Sequence, residues 1–578
     1  MEVQFLLKRD PSIVEEKPKG STFFMMTPFP NYLLRIAATT LLAPVLLILN
    51  TAQSCYAANG HTATSRHENT NVILVSLQCL RPDHLGVYGY KRDTSPNLDK
   101  LAKSSILFDN TVSQANLTPV AMMSVLTSQY PRVNGMIAFD ASKDAVRSRT
   151  LPEILQYYGY TTAAVSGSPE FFMRYDTESG TEIKLGDVFS RSFDYFGRTR
   201  KGLGSSLRVL PTESLDWLQK NREKKFFLWI ASGVIHVPYA AGVPKNEKTI
   251  FDPPGYKPFW DKFHSIKAEE GAADDTTYDV LMRIFKSEYY LGFKPVHTIT
   301  PDDHEYIVAR YDASIRYTDK FIGELVATLE KTGLAKNTIL IVHSIHGEDL
   351  GERGTYVHYD LSEPVTRSAL MMRLPDGEQG GKRIEAQVQG LDIVPTVLDY
   401  LNIPKDHGLQ GKSLLPLAHG DKGAEGTEYA FTDRIPWWEH TLSRWYLEFK
   451  NSQTDYPDSE KTPIAGYGRM LKTAFPQNSY PPGDISVRTK KWKLIVRKAP
   501  RLLEQVSWYG FISGTPLKYG DVELYDIVND PWMRTNVSES NPLVVTDLRK
   551  RLTEWDESVE KRKAVYGAGE KRFIIPYP

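Results

Sequence analysis

Asn71-Val-Ile-Leu-Val-Ser-Leu-Gln-Cys-Leu-Arg-Pro-Asp-His-Leu-Gly-Val-Tyr-Gly-Tyr90 is the stretch whose reading decides the fold. Its first seven residues, Asn71 to Leu77, are a continuous run rich in Val, Ile and Leu. Such a run is expected of a strand buried on both faces of a parallel sheet. Further on, Ser95-Pro-Asn-Leu-Asp-Lys-Leu-Ala-Lys103 offers Ser at the N-cap and Pro at the first helical position, followed by helical periodicity. Strand candidates recur at 105–111, 161–165, 226–231, 337–343 and 368–373, with helical patterns between them at 152–158, 212–221 and 303–332. Strands alternating with helices predict an α/β fold, a doubly wound and mostly parallel sheet flanked by helices.

After about residue 420 the texture changes. Short strand patterns at 428–432, 486–488, 492–496 and 522–526 precede a helical pattern at 544–559. The expected organisation is a main domain over 71–420 and a smaller C-terminal α+β subdomain over 421–578. Two aromatic-rich stretches, 240–300 and 434–482, carry Trp260, Trp437, Trp438 and Trp445. They read as packed insertions, or alternatively as lids or partner surfaces.

Lys plus Arg and Asp plus Glu both number 70 in a chain of 578 residues, so the formal charge is zero. Nucleic-acid binding would want a basic excess, and no such partner is expected. No Cys/His spacing of zinc type, P-loop or dinucleotide fingerprint stands out. Residues 1–58 read as a signal peptide or an N-terminal membrane anchor: basic residues precede an apolar run from Ile36 to Leu49, and small residues offer cleavage after Ser54 or Ala57. Residues 59–70 read as a linker. The expected location is outside the cytoplasm, periplasmic or in the cell envelope, with membrane attachment through the N-terminus as an alternative. Cleavage after Ser54 would leave Cys55 first, as in a lipoprotein. Cys55 and Cys79 are the two cysteines, so a cleaved chain has no internal disulfide.

Several ordered blocks resemble the sulfatase family of the alkaline-phosphatase-like superfamily, over about 71–540. They are Asn71–Tyr90, Thr94–Ala102, Ser113–Pro131, His236-Val-Pro-Tyr239, Tyr311–Asp319, Asn337–Gly354, Asp392–Asp399, Gly408–Leu415 and Glu523–Pro531. The resemblance implies a divalent cation (Ca, Mg, Mn or Zn) beside a nucleophile, held mainly by aspartates because hard ions prefer carboxylate. It places a ligand Asp at position 78, where this chain has Gln78. It places another in the second loop, where Ser344-Ile-His-Gly347 puts Ile345 in the way and leaves His346 as a ligand. Losing two carboxylates removes much of the attraction for a doubly charged ion, since close charge pairs are worth several kcal/mol even at an effective dielectric of about 20. The metal residues on this reading are Gln78 and His346, a degenerate site, with Asp83, Glu348 and Asp349 as local carboxylates that could compensate. A His and a Gln would suit a softer ion such as Zn²⁺.

The same resemblance puts Thr118 at the nucleophile position, with Pro119, Val120 and Met122 where a formylglycine enzyme has Pro and Arg two and four residues on. Threonine is not converted to formylglycine, so none is expected. From its own sequence context, Thr118-Pro119 is an N-cap/N1 pair and Thr118 is expected to cap the next helix. Asn116-Leu-Thr118 is also a formal glycosylation sequon. His236 matches the family's oxyanion contact and His358 its leaving-group region; the family's cationic Gly-Lys-Trp-His block has no counterpart. Arg81 and His84 read as surface or packing residues.

The resulting expectation is an exported protein related to sulfuric and phosphoric ester hydrolases, with impaired or non-standard catalysis through Thr118, His236 and His358. One alternative is an active metal-dependent phosphodiesterase, phosphotransferase or sulfatase-like hydrolase using Thr118. Another is a non-catalytic envelope binding protein or lipoprotein. Expected partners are a sulfated or phosphorylated small molecule, glycan or lipid, or an envelope protein.

Overall fold

The computed structural model describes residues 67–136, 146–256, 300–434, 483–498 and 521–567, except for 68, 147, 169–170, 172–173, 177–181, 199–208, 238, 241, 354–355, 359 and 406–407. The N-terminal segment with Cys55, and Trp260, Trp437, Trp438 and Trp445, lie outside the described residues. In chain order the strands are β1 Asn71–Leu77, β2 Ile106–Val112, β3 Thr161–Ser166, β4 Arg174–Asp176, β5 Glu182–Lys184, β6 Tyr195–Arg198, β7 Phe226–Ser232 and β8 Thr338–Ser344. There follow β9 Asp349–Leu350, β10 Tyr356–Val357, β11 Arg367–Arg373, β12 Arg383–Gln389, β13 Ala430–Asp433, β14 Ile485–Arg488, β15 Trp492–Val496 and β16 Val522–Asp526.

Eight of these form one sheet in the order β12-β2-β11-β8-β1-β7-β3-β6. β1 pairs in parallel with both β7 and β8, and every residue of these three strands is buried. β11 runs antiparallel to β2 and β8, so the sheet is mixed but mostly parallel. Alternation along β1 divides the interior in two. Val72 and Leu74 join Trp229 and Ile341 on one face, while Ile73, Val75 and Leu77 join Ile230 and Val342 on the other. Helices Thr118–Thr127, Leu151–Tyr157 and Ile393–Tyr400 cover the first face. Pro96–Ala102 and the long Pro301–Lys331 helix cover the second through Leu98, Ile307, Tyr311, Ile315 and Ile322. The long helix starts at a capping box formed by Thr300 and Asp303. Ser95 stands at the N-cap of Pro96–Ala102, but its hydroxyl donates to Asp99 and accepts from the Gly86 amide instead of capping.

A four-stranded antiparallel sheet, β13-β14-β15-β16, packs on helix Pro542–Gly567 through Leu548, Leu552, Trp555 and Val559. Buried ion pairs tie it to the main sheet's loops: Glu363 meets Arg488 at 2.7 Å and Lys493 at 3.3 Å.

Candidate functional site

The site gathers where the parallel strands end, which is where open α/β sheets place ligands. β1 runs out into Gln78 and Cys79, β8 into Ile345 and His346, and β7 into the turn carrying His236. The Gln78 amide donates to the Ser232 carbonyl at 3.0 Å and the Ile345 amide to the Leu77 carbonyl at 2.9 Å, so the three strand ends are held in register.

Thr118, the first residue of the helix that follows β2, does not cap that helix. Leu117 occupies the N-cap and no side chain caps it. The Thr118 hydroxyl instead lies 2.8 Å from His346 Nε2, and both residues are buried. The other ring nitrogen, Nδ1, is 2.9 Å from the Gly347 carbonyl oxygen. A carbonyl only accepts, so Nδ1 carries the proton and Nε2 presents a lone pair to the Thr118 hydroxyl, which donates. Burial, reinforced by neighbouring His358, holds the His346 imidazole well below the usual histidine range.

His358 is fixed in the same way. Its Nδ1 lies 2.6 Å from Glu348 Oε2, and the other oxygen of that carboxylate accepts from the Tyr239 hydroxyl at 2.6 Å. The Asn116 side-chain amide donates to the His358 carbonyl at 2.9 Å. Asn116 is therefore a buried structural donor. The His358 ring lies 4.5 Å from that of His346 and 4.9 Å from that of His236, centroid to centroid. His236, half-buried, has Nδ1 2.5 Å from the Val237 carbonyl oxygen. Thr118, His236, His346 and His358 are thus brought together. Gln78 lies at the end of β1 with its side-chain amide on Ser168 Oγ at 2.6 Å, and its buried Oε1 has no hydrogen-bond partner.

Cys79 is given no role by the sequence beyond the cysteine count. It is fully buried, adopts a left-handed φ of 58° and puts Sγ 3.7 Å from His358 Nδ1. A non-glycine residue in that conformation costs energy that the surroundings must supply. Tyr311 does so, donating its hydroxyl to the Cys79 carbonyl at 2.5 Å while accepting from the Arg81 amide at 2.9 Å. The sequence assigns Tyr239 no role, and Glu348, expected as a compensating metal carboxylate, instead orients His358 and accepts from Tyr239. For Cys79 and Glu348 the available signal was their position in the two loops that also carry Gln78 and His346.

The local carboxylates do not rebuild a hard-metal site. Asp83 pairs with Arg81 at 2.6 Å, and despite burial that guanidinium holds its carboxyl below the usual range. Arg81 itself is buried, as is His84, which sits on Asp312 at 2.7 Å; neither is a surface residue. Asp349 accepts from the Ser362 hydroxyl at 2.6 Å, and Glu348 is occupied by His358 and Tyr239. Among the described residues the one group of three or more potential ligands is Cys79, His346 and His358, with donor atoms within 4.8 Å of one another. One sulfur and two imidazole nitrogens are a poor match for the oxygen-seeking Ca²⁺ or Mg²⁺.

The Sulfatase family model matches residues 70–403, a span that contains every residue of the site. Among known proteins, the chain is 24% identical over 428 residues to an N-acetylglucosamine-6-O-sulfatase of Bacteroides thetaiotaomicron, covering 65% of this chain and 76% of that one. It is 27% identical over 353 residues to the iduronate 2-sulfatase of Mus musculus, covering 55% and 61%. Among solved structures, the phosphonate monoester hydrolase of Agrobacterium radiobacter superposes with a TM-score of 0.55 at 17% identity, covering 86% of this chain and 96% of that one. A protein solved with its substrate D-glucosamine-2-N,6-O-disulfate gives 0.55 at 17% identity, covering 87% and 99%. At these identities the superpositions speak for the fold.

Proposed function

The chain belongs to the sulfatase family, and from that premise we propose that it is an ester hydrolase or transferase with a non-standard site, in which Thr118 Oγ1 is the nucleophile and His346 Nε2 its proton acceptor. The hydrogen bond of 2.8 Å between these two atoms, with the opposite ring nitrogen committed to Gly347, is the observation that carries the reading. Oγ1 attacks the sulfur or phosphorus of a sulfuric or phosphoric ester, its proton passes to Nε2, and the bond to the leaving oxygen breaks. The departing alkoxide takes up a proton, and water then cleaves the Thr118 ester to restore the hydroxyl. His358, oriented by Glu348, and half-buried His236 are the neighbouring groups suited to proton delivery and to oxyanion contact.

The sulfatase family typically uses a divalent metal, and here the carboxylates for a hard ion are missing; the expected rate is low relative to metal-assisted relatives. Burial of Thr118 adds to this, because the ester head must reach an oxygen on a residue only 2% exposed. The names of the similar sulfatases, acting on N-acetylglucosamine 6-sulfate and iduronate 2-sulfate groups, favour a sulfated glycan over a phosphorylated lipid as the substrate class. Export is part of the proposal, supported by the apolar run from Ile36 to Leu49, and cell fractionation would check it. The functional test is turnover of aryl sulfate, aryl phosphate, bis-aryl phosphodiester and sulfated glucosamine by the purified chain and by Thr118→Ala. The reading expects slow turnover that the variant abolishes. A folded, inactive wild type would leave a non-catalytic binding protein in its place.

A further inference from the structure

We propose that the charged face of the small sheet, Arg488 and Lys493 with Arg497 beside them, positions the loops that carry His346 and His358. It acts through the intervening segment 360–366, so these three are positioning residues. Their effect on turnover rests on the reading of His346 as the proton acceptor of Thr118; the placement of the loops does not.

The two faces of this sheet differ in kind. Val487, Leu494 and Leu524 pack with Leu548, Leu552 and Val559 of the final helix, an apolar contact. On the other face Arg488 and Lys493 stand directly opposite each other on β14 and β15. Alternation along β15 puts Ile495 and then Arg497 on the face of Lys493. Like charges in a cross-strand pair repel, and replacing a buried ionic cluster by apolar groups of similar size is often neutral or stabilising. Stability alone therefore does not account for this face. Its register does. Lys493 Nζ donates to the Ser362 carbonyl at 3.3 Å, meets the Glu363 carboxylate at 3.3 Å and reaches the Thr366 hydroxyl, while Arg488 takes the other Glu363 oxygen at 2.7 Å. Ile495 shares a buried apolar cluster with Leu361. Arg497 binds Asp360 at 2.5 Å and is itself held by Glu523 at 2.7 Å. Three successive side chains on one face thus fix three points of a single segment.

That segment in turn holds the site. The Gly347 amide donates to the Val365 carbonyl at 2.7 Å and the Glu348 amide to the Pro364 carbonyl at 3.1 Å. Gly347 supplies the carbonyl that sets the His346 ring, and Glu348 the carboxylate that orients His358. The Ser362 hydroxyl donates to Asp349 at 2.6 Å, on the far side of the same loop. His358 itself lies two residues before Asp360 in the chain. Charge-assisted hydrogen bonds are directional, whereas an apolar contact lets a segment slide. The charged face therefore sets where the histidine loops sit, and the apolar face holds the sheet to its helix.

The test compares the full chain with a triple variant, Arg488→Met, Glu363→Leu and Lys493→Met, which exchanges the charged cluster for apolar side chains and keeps a buried contact. Lys493→Met, which leaves Arg488 on Glu363, serves if the triple variant does not fold. Hydrogen exchange read by mass spectrometry follows the peptide with Ile345 to Glu348, against the β7 peptide as a measure of global stability. The expected result is unchanged protection in β7 with protection lost at Gly347 and Glu348. With an aryl sulfate or aryl phosphate as probe, kcat should fall by about 100-fold and KM stay unchanged, as for a misplaced catalytic group. Loop amides as protected as in the wild type, or exchange rising equally in the loop and in β7, would overturn the proposal. Exchange needs no substrate, so an inactive wild type would count against the Thr118 chemistry alone and the two readings fail separately.

Discussion

Thr118 and His346 meet through a buried hydrogen bond of 2.8 Å although 228 residues separate them in the chain. The pair exists because β2 and β8 end on the same edge of the sheet, with β11 between them. Helix Thr118–Thr127 starts just after β2, and His346 lies two residues beyond β8.

Gly347 is the residue on which that meeting depends most directly. A Cβ there would come within 1.9 Å of the Pro364 backbone carbonyl oxygen, which is not free to move aside. Gly347→Ala should therefore shift the loop that holds His346. A loss of about 1–3 kcal/mol of stability is expected from such overpacking, together with loss of turnover. Chemical denaturation and a kinetic assay on the same sample check it; unchanged values for both would contradict the close approach.

Asn116 is placed by its donation to the His358 carbonyl, with 4% of its surface exposed. Expressed in a glycosylating host, the chain should carry no glycan at Asn116, as read by peptide mass. Asn116→Ala should cost about 1–3 kcal/mol, the usual consequence of leaving a buried partner unsatisfied.

Glu363 supports Arg488 at 2.7 Å and Lys493 at 3.3 Å, all three being buried. Burial alone would push the Glu363 carboxyl up, yet Arg488 and Lys493 bring it down to about 2. Glu363→Gln leaves two cations without their counter-charge, and a loss of about 3–5 kcal/mol is expected. A denaturation midpoint within error of the wild type would sink this account of how the small sheet is held.

Asp349 works in the opposite direction. Burial, with repulsion from Glu352, raises its carboxyl from 3.8 to about 7, the Ser362 hydroxyl opposing. A raised folded-state value means that this group's stabilisation is complete below the ordinary Asp range and is lost as pH rises through about 7. Asp349→Asn should flatten the fall in stability between about pH 4 and about pH 7. Urea midpoints across that window measure it, and an equal slope in both proteins would contradict it.

The fold was legible where the chain is uniformly apolar. Strands such as β1, β7 and β8, buried along their whole length, announce themselves, whereas β12 at the sheet edge is exposed or half-buried over its first four residues and β6 is a short edge strand. The final helix runs to Gly567, past the end of the pattern at Val559, since the charged run Glu560-Lys-Arg-Lys563 carries no apolar periodicity to mark it. Within the site, family likeness pointed to Gln78, Thr118, His236, His346 and His358 one at a time. Their partners were not legible: the Thr118 hydroxyl turns to His346 instead of to its own helix, and Cys79 joins two histidines distant in sequence. Local pattern describes a residue's neighbours along the chain, and these contacts are set by strand order.

The most direct measurement is peptide mass spectrometry of the full chain quenched during reaction with an aryl sulfate or aryl phosphate. The account predicts one sulfuryl or phosphoryl group on the peptide carrying Thr118, absent from Thr118→Ala and diminished in His346→Ala. Turnover with no covalent mark at Thr118 under quench conditions that preserve such esters, or an equal mark in His346→Ala, would contradict it.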